Sequence, residues 1–166
     1  MAELEVKGVA QMLRTLKEMD PELRKSTVRA IKAPARIIAN DARSRVPAKP
    51  PMSGWRGGAR KKFPTWNDPA KGIKVKFSSG MSQRKRSWDL VRIVQTDGAG
   101  SVFDMAGKRG GDGTRQSEQF LANLRRHGQP SRTLWPAVEK HGTEVTAAIK
   151  LAVAETEAIL NARLKG

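Results

Sequence analysis

Residues 72–105 read GIKVKFSSGMSQRKRSWDLVRIVQTDGAGSVFDM, and this stretch decides between an all-helical chain and a mixed one. At its start Ile73, Val75 and Phe77 alternate with Lys74, Lys76 and Ser78, so one face is apolar and the other cationic. A period of two is the mark of a strand. Residues 87–96, SWDLVRIVQT, are apolar on both faces, which predicts a central strand. Between them lies MSQRKRS, the core of a basic hairpin-like tip over 81–88. A third short strand is expected at Ser101–Met105, paired after a turn at Asp97-Gly98. The reading is a small antiparallel sheet over about 73–105.

Outward from the sheet the periodicity changes to that of helices. Val9, Met12, Leu13 and Leu16 share helical spacing within 8–19. Asp20-Pro21-Glu22 then makes a helix start: a capping carboxylate, a proline at the first position and an acid in the first turn. Leu23, Thr27, Ile31, Ala35, Ile38 and Ala42 mark one face of a helix to about Arg45. Pro34 falls inside it and predicts a kink, and Pro47 ends it. On the far side Thr114 caps a helix over 115–126, with Phe120, Leu121 and Leu124 inward and Gly128 as its stop. The last element, 133–164, aligns Leu134, Val138, His141, Val145, Ala148, Ala152, Ile159 and Leu160 in one stripe. A helix of that length spans about 48 Å, more than one small domain needs. The fold class is therefore α+β: one domain over 1–166, its small sheet packed by a kinked N-terminal helix and a long C-terminal one.

Composition limits what such a domain holds. Leu, Ile, Val and Phe number 33 of 166 residues and tyrosine is absent. That core is thin enough to need surface buried against a partner. There is no cysteine, so neither disulfides nor thiolate metal sites arise. The opening MAELEVKG lacks the basic, apolar and small-residue succession of a signal peptide, and no apolar run is long enough to span a membrane. The sequence thus predicts a protein made in a cytoplasm, with no membrane partner.

A glycine-rich stretch at 100–115, GSVFDMAGKRGGDGTR, raises the question of a nucleotide site. A phosphate loop needs Gly, four residues, then Gly-Lys-Ser/Thr opening a helix. Here Val102 stands where the first glycine belongs, Arg109 replaces the hydroxyl residue, and GGDG follows the lysine. His127 and His141 are the only histidines and lie on different predicted helices. Asp97, Asp104 and Asp112 read as turn or strand-end residues. No catalytic residue, metal ligand or cofactor site is predicted, and the chain reads as a non-enzyme.

The charge is what remains. The net charge is +16, and residues 43–92 carry 14 basic side chains against 2 acidic ones, between nearly neutral flanks. Residues 47–71 hold five of the nine prolines and read as an extended basic arm. Arg56, Arg60, Lys61 and Lys62 interleave with Trp55, Phe63 and Trp66, while Arg84, Lys85 and Arg86 precede Trp88. Cations mixed with aromatics suit phosphate contact plus base stacking. They equally suit anchors that pin an arm to a neighbouring subunit. Both readings make these eleven residues the candidate contact set for a partner or for nucleic acid.

The two ends of the chain resemble a known family. VKGVAQMLRTLKEMDPELRKSTVRAIKAPARIIANDARSRVP, with Leu13–Leu16, Ala42-Arg43 before Pro47, and then Ser53-Gly54, resembles the opening of a neck and tail-completion family of long-tailed DNA bacteriophages. The ending PSRTLWPAVEKHGTEVTAAIKLAVAETEAIL is similar to that family's close, with Trp135-Pro136-Ala137 starting a long terminal helix. SVFDMAGK stands in place of the family's usual strand and departs from it at Phe103-Asp104-Met105. The similarity covers roughly 1–55 and 87–164 and leaves 56–86 outside. It implies a virion protein assembled in the host cytoplasm: a structural subunit of a ring at the head–tail junction or the head-proximal tail end. Its implied partners are copies of itself, neighbouring head-closure, tail-terminator or tail-tube proteins, and genomic DNA. The expected subunit contacts on the long helix are Leu134, Trp135, Val138, Val145 and Ile149. A nucleic-acid-binding protein using 43–92 is the alternative.

Overall fold

The structure, a computed structural model, describes residues 9–55, 64–77, 91–108 and 113–165. Among them are five α-helices and one two-stranded antiparallel sheet. Helix α1 is Val9–Met19 and α2 is Pro21–Ser44. Strands β1 (Ile73–Phe77) and β2 (Val91–Gln95) form the sheet. Helices α3 (Gly98–Met105), α4 (Arg115–Arg125) and α5 (Leu134–Lys165) complete the chain. The α+β class stands.

The expected caps are made. The Leu23 amide donates to Asp20 Oδ1 at 2.8 Å, closing one of the free donors at the start of α2. The Ser117 amide donates to Thr114 Oγ1 at 3.2 Å at the start of α4. Helix α2 runs through Pro34 to Ser44. The register of the sheet follows from the Thr96 amide, which donates to the Gly72 carbonyl at 2.9 Å. That bond sets Ile73 opposite Gln95 and Lys76 opposite Arg92. Gly72 is fixed by crowding, since a Cβ there would lie 2.6 Å from Asp97 Cβ and 2.8 Å from Asp97 N.

One strand expectation fails. Residues 101–105 belong to helix α3 rather than to a third strand, so β2 is not a central strand among the described residues. Asp97 is the reason. Its carboxylate accepts the Gly100 amide at 2.7 Å, and the Ser101 hydroxyl donates to its carbonyl at 2.9 Å. Asp97-Gly98 is thus a helix cap, not a hairpin turn. Ala99 and Phe103, one turn apart, are then both buried. The sheet spans 73–95, and the expected tip at 81–88 lies outside the described residues.

A single domain is the expectation from length; the contacts gather the chain into two compact units, each drawing on separated segments. The first takes residues 1–37, 75–92 and 141–166. Its buried groups are Met12, Leu13 and Leu16 of α1, Thr27, Ile31 and Ala35 of α2, and Val145, Ile149, Ala152, Val153 and Thr156 of α5. Inside it the Thr27 and Thr156 hydroxyls meet at 3.2 Å, and the Lys32 ammonium lies 5.5 Å from the Phe77 ring centroid. Arg163 donates to Asp20, so one carboxylate caps α2 and also holds the far end of α5. The Asp20 carboxyl is held below its ordinary pKa, first by the Leu23 amide and then by the Arg163 guanidinium.

The second unit takes 38–74 and 93–140. Trp55, Trp66, Ala99, Phe103 and Leu124 form its core, with Val46, Met52, Val102, Ala106 and Phe120 against it. Arg43 at the end of α2 turns its fork onto the Ile73 carbonyl, Nε at 3.1 Å and Nη2 at 2.6 Å, and so fixes where β1 begins.

Candidate interaction surfaces

The aromatics expected to meet a partner are built into the second unit. Trp55 is 1% exposed and Trp66 is 9% exposed. Their rings stack at 5.2 Å with 14° between planes, and Phe120 and Phe103 meet them edge-on at 6.4 and 5.6 Å. The Trp66 indole donates to the Pro47 carbonyl at 3.2 Å, and its amide donates to the Trp55 carbonyl at 2.9 Å. Neither ring is open to a base or to another subunit, so both leave the contact set. The described parts of 47–71 fold onto their own chain, with short 3₁₀ turns at Ser53–Trp55 and Pro69–Gly72. Burying large apolar rings is worth more than leaving a Pro-rich segment extended in water. Arg56, Arg60, Lys61, Lys62, Phe63, Arg84, Lys85, Arg86 and Trp88 lie outside the described residues.

Next to this core is a polar node that the sequence did not announce. Asp104, read as a strand-end residue, is a buried helical side chain. Its Oδ1 accepts both the Thr133 amide and the Thr133 hydroxyl at 2.6 Å. Buried Arg132 donates from Nη1 to the Phe103 carbonyl at 2.7 Å and the Ala106 carbonyl at 3.2 Å. Its Nε is shared between the Leu124 and Gly128 carbonyls at 3.2 and 3.1 Å. One guanidinium thus serves carbonyls at the ends of both α3 and α4. Burial holds the Arg132 pKa below its ordinary value, against the smaller opposing pull of the Asp104 charge. Ser131 enters the node at φ 70°, with its amide bonded to the Asp104 carbonyl at 2.6 Å. The signal available in the sequence was the polar run Ser131-Arg132-Thr133 between Pro130 and Leu134.

This node sets the start of α5. From it Trp135 projects outward, 45% exposed, its indole donating to Glu139 Oε1 at 2.6 Å. Leu134 and Val138 are half-buried in the second unit. Val145 and Ile149 are corrected: they are 5% and 7% exposed and belong to the core of the first unit, where no neighbouring subunit reaches them. Other large apolar residues face out instead, among them Ile159, which the sequence placed on the apolar stripe of α5. In the first unit Met19, Ile37, Leu151 and Ile159 are 54, 42, 62 and 43% exposed, and in the second Met105 is 45% exposed. Lys74 and Lys76 project from β1 as exposed side chains, as the alternation predicts.

The glycine-rich stretch is divided between elements. Gly100 is buried within α3, Gly107 follows it at φ 91°, and Gly113 precedes the Thr114 cap at φ 76°. Residues 109–112 lie outside the described residues. No cluster of three metal-ligating side chains occurs among the described residues, and no described helix is long and apolar enough to cross a membrane. Compared with known proteins, the chain matches no family model, no curated protein and no solved structure.

Proposed function

We propose that the chain is a non-enzymatic structural subunit of a phage virion, forming a ring at the head–tail junction or the head-proximal tail end that joins head to tail during assembly. The observation that carries the reading is Trp135. It belongs to Trp135-Pro136-Ala137, the motif of the family resemblance, and stands 45% exposed at the start of a 32-residue helix. An outward tryptophan is the kind of anchor that a neighbouring subunit covers. Met19, Ile37 and Ile159 of the first unit and Met105 of the second, all facing out, support it, because closed cyclic assemblies bury such groups against identical neighbours.

The test is the mass of the purified chain, alone and mixed with portal and tail-tube proteins encoded beside it, together with its presence in purified particles. The expected result is a ring of defined mass in the mixture, lost in Trp135→Ala. A chain that forms no ring under either condition and is absent from particles overturns the reading.

A second reading rests on β1. Lys74 and Lys76 are exposed on one face of the sheet, and the register brings Arg92 opposite Lys76. A face of that charge suits a phosphate backbone. Absence of DNA binding at low salt dismisses it.

A further inference from the structure

Helix α5 has a second apolar face. Ala147, Leu151, Ala154, Ala158 and Ala162 are all exposed. At 3.6 residues per turn they fall within an arc of about 80° and run for about 22 Å. Their spacing of four, three, four and four is that of a helix-pairing seam. All five lie in the first unit, on the side away from its buried Val145, Ile149, Ala152 and Thr156.

The charges around this seam indicate what covers it. The chain as a whole is strongly cationic, yet residues 141–163 carry only Lys150 and Arg163 against Glu144, Glu155 and Glu157. This is a surface on which two copies meet without the repulsion that the rest of the chain would impose. Lys150 and Glu157 sit on the same flank of the seam, seven residues apart, and neither makes an ion pair among the described residues. Set antiparallel about a point between Leu151 and Ala154, two copies place Leu151 on Ala154 of the second copy, and Ala158 on Ala147 of the second copy. The same setting brings Lys150 to Glu157 of the second copy, and the dyad repeats the pair. A parallel setting would bring Lys150 to Glu155 instead.

We propose that the free chain forms a two-fold dimer through this outward face of α5, with Leu151 at its centre and two Lys150–Glu157 bridges across the dyad. A two-fold contact closes at two copies and builds no ring. The dimer and the neck ring are therefore separate assemblies, and the failure of one leaves the other standing.

Sedimentation equilibrium of the full chain tests it, with circular dichroism to confirm that each variant keeps its helices. Wild type sediments as a dimer. Leu151→Glu, at a residue 62% exposed within one chain, weakens the dimer roughly a hundredfold or more, since two leucines lose their cover. Lys150→Glu and Glu157→Lys each weaken it about tenfold, because two attractions become two repulsions. The double reversal restores wild-type affinity, and Glu155→Lys leaves it unchanged. A monomer at the highest attainable concentration overturns the proposal, as does a dimer indifferent to Leu151→Glu. So does a double reversal without rescue, or loss of the dimer in Glu155→Lys.

Discussion

Replacing Trp66 with alanine separates a structural arm from a docking arm. The side chain is 9% exposed, stacks on Trp55 at 5.2 Å, meets Phe103 edge-on at 5.6 Å and donates to the Pro47 carbonyl at 3.2 Å. Truncating a buried tryptophan costs about 4 kcal/mol, of which the two ring contacts account for roughly 1 kcal/mol each. Phenylalanine at 66 keeps most of the buried ring and loses the bond to Pro47, for about 1–2 kcal/mol. In a chain of this size the alanine variant should melt roughly 10 °C lower. Two compact units need not unfold together, so the readout has to be local. Amide hydrogen exchange in α3 and α4, whose Phe103 and Leu124 share the tryptophan core, should lose protection in the order alanine, phenylalanine, wild type. An alanine variant that keeps its protection within about 1 kcal/mol, yet no longer binds a partner or DNA, would refute the assignment of Trp66 to the core.

Three other perturbations follow from the same geometry. Arg132→Met leaves the carbonyls at the ends of α3 and α4 without their shared donor and should cost about 3 kcal/mol in chemical denaturation. Arg132→Lys should recover only part of that, because an ammonium lacks the fork. Thr156→Val removes the buried hydroxyl contact with Thr27 and the bond to the Ala152 carbonyl, while Thr27 keeps its bond to the Leu23 carbonyl. The single variant should lose about 1 kcal/mol and the Thr27→Val/Thr156→Val pair scarcely more, a coupling that a double-mutant cycle measures. Asp20 has a folded pKa below its unfolded value, so it favours the folded state above the unfolded pKa, and this contribution fades as pH falls through the folded one. Asp20→Asn retains a capping oxygen, and its unfolding midpoint should vary less with pH across the acid range than that of wild type.

Local signals carried most of the secondary structure. The Asp20 and Thr114 caps, the alternation of β1 and the length of α5 are each written within a few neighbouring residues. Ser101–Met105 misled because five residues fit either period, and the deciding group, Asp97, lies just before them. Trp55 and Trp66 misled for a different reason. Each is buried by a residue distant in sequence, Phe103 among them, and no local pattern in a Pro-rich stretch reports such contacts. On α5 the stripe drawn through Val145 and Ala152 is the inward one, so Val145, placed there as a subunit contact, fell in the core, as did Ile149. The outward seam is mostly alanine, which registers weakly as an apolar signal, and only Leu151 marks it.

The same contrast between local and distant partners changes what the charge of +16 means. Arg43 and Arg132 turn their forks onto backbone carbonyls at element ends, Arg45 pairs with Asp41, and Lys71 pairs with Asp68. Arg43 and Arg132 hold the fold and are poorly placed to meet phosphates as well. Lys71 differs: the Asp68 carboxylate raises its pKa, yet its side chain stands 86% exposed. Of the basic side chains on the sheet, Lys74 and Lys76 are the exposed ones of β1. If they are the phosphate contacts, the affinity for DNA should fall with salt at a logarithmic slope of about −2. Engagement of six cations from the interleaved basic stretches would instead give a slope of roughly −5. A titration from low to physiological salt, repeated on Lys74→Glu/Lys76→Glu, distinguishes the two. A slope near −5 that survives the double substitution would remove the sheet face from any role in binding.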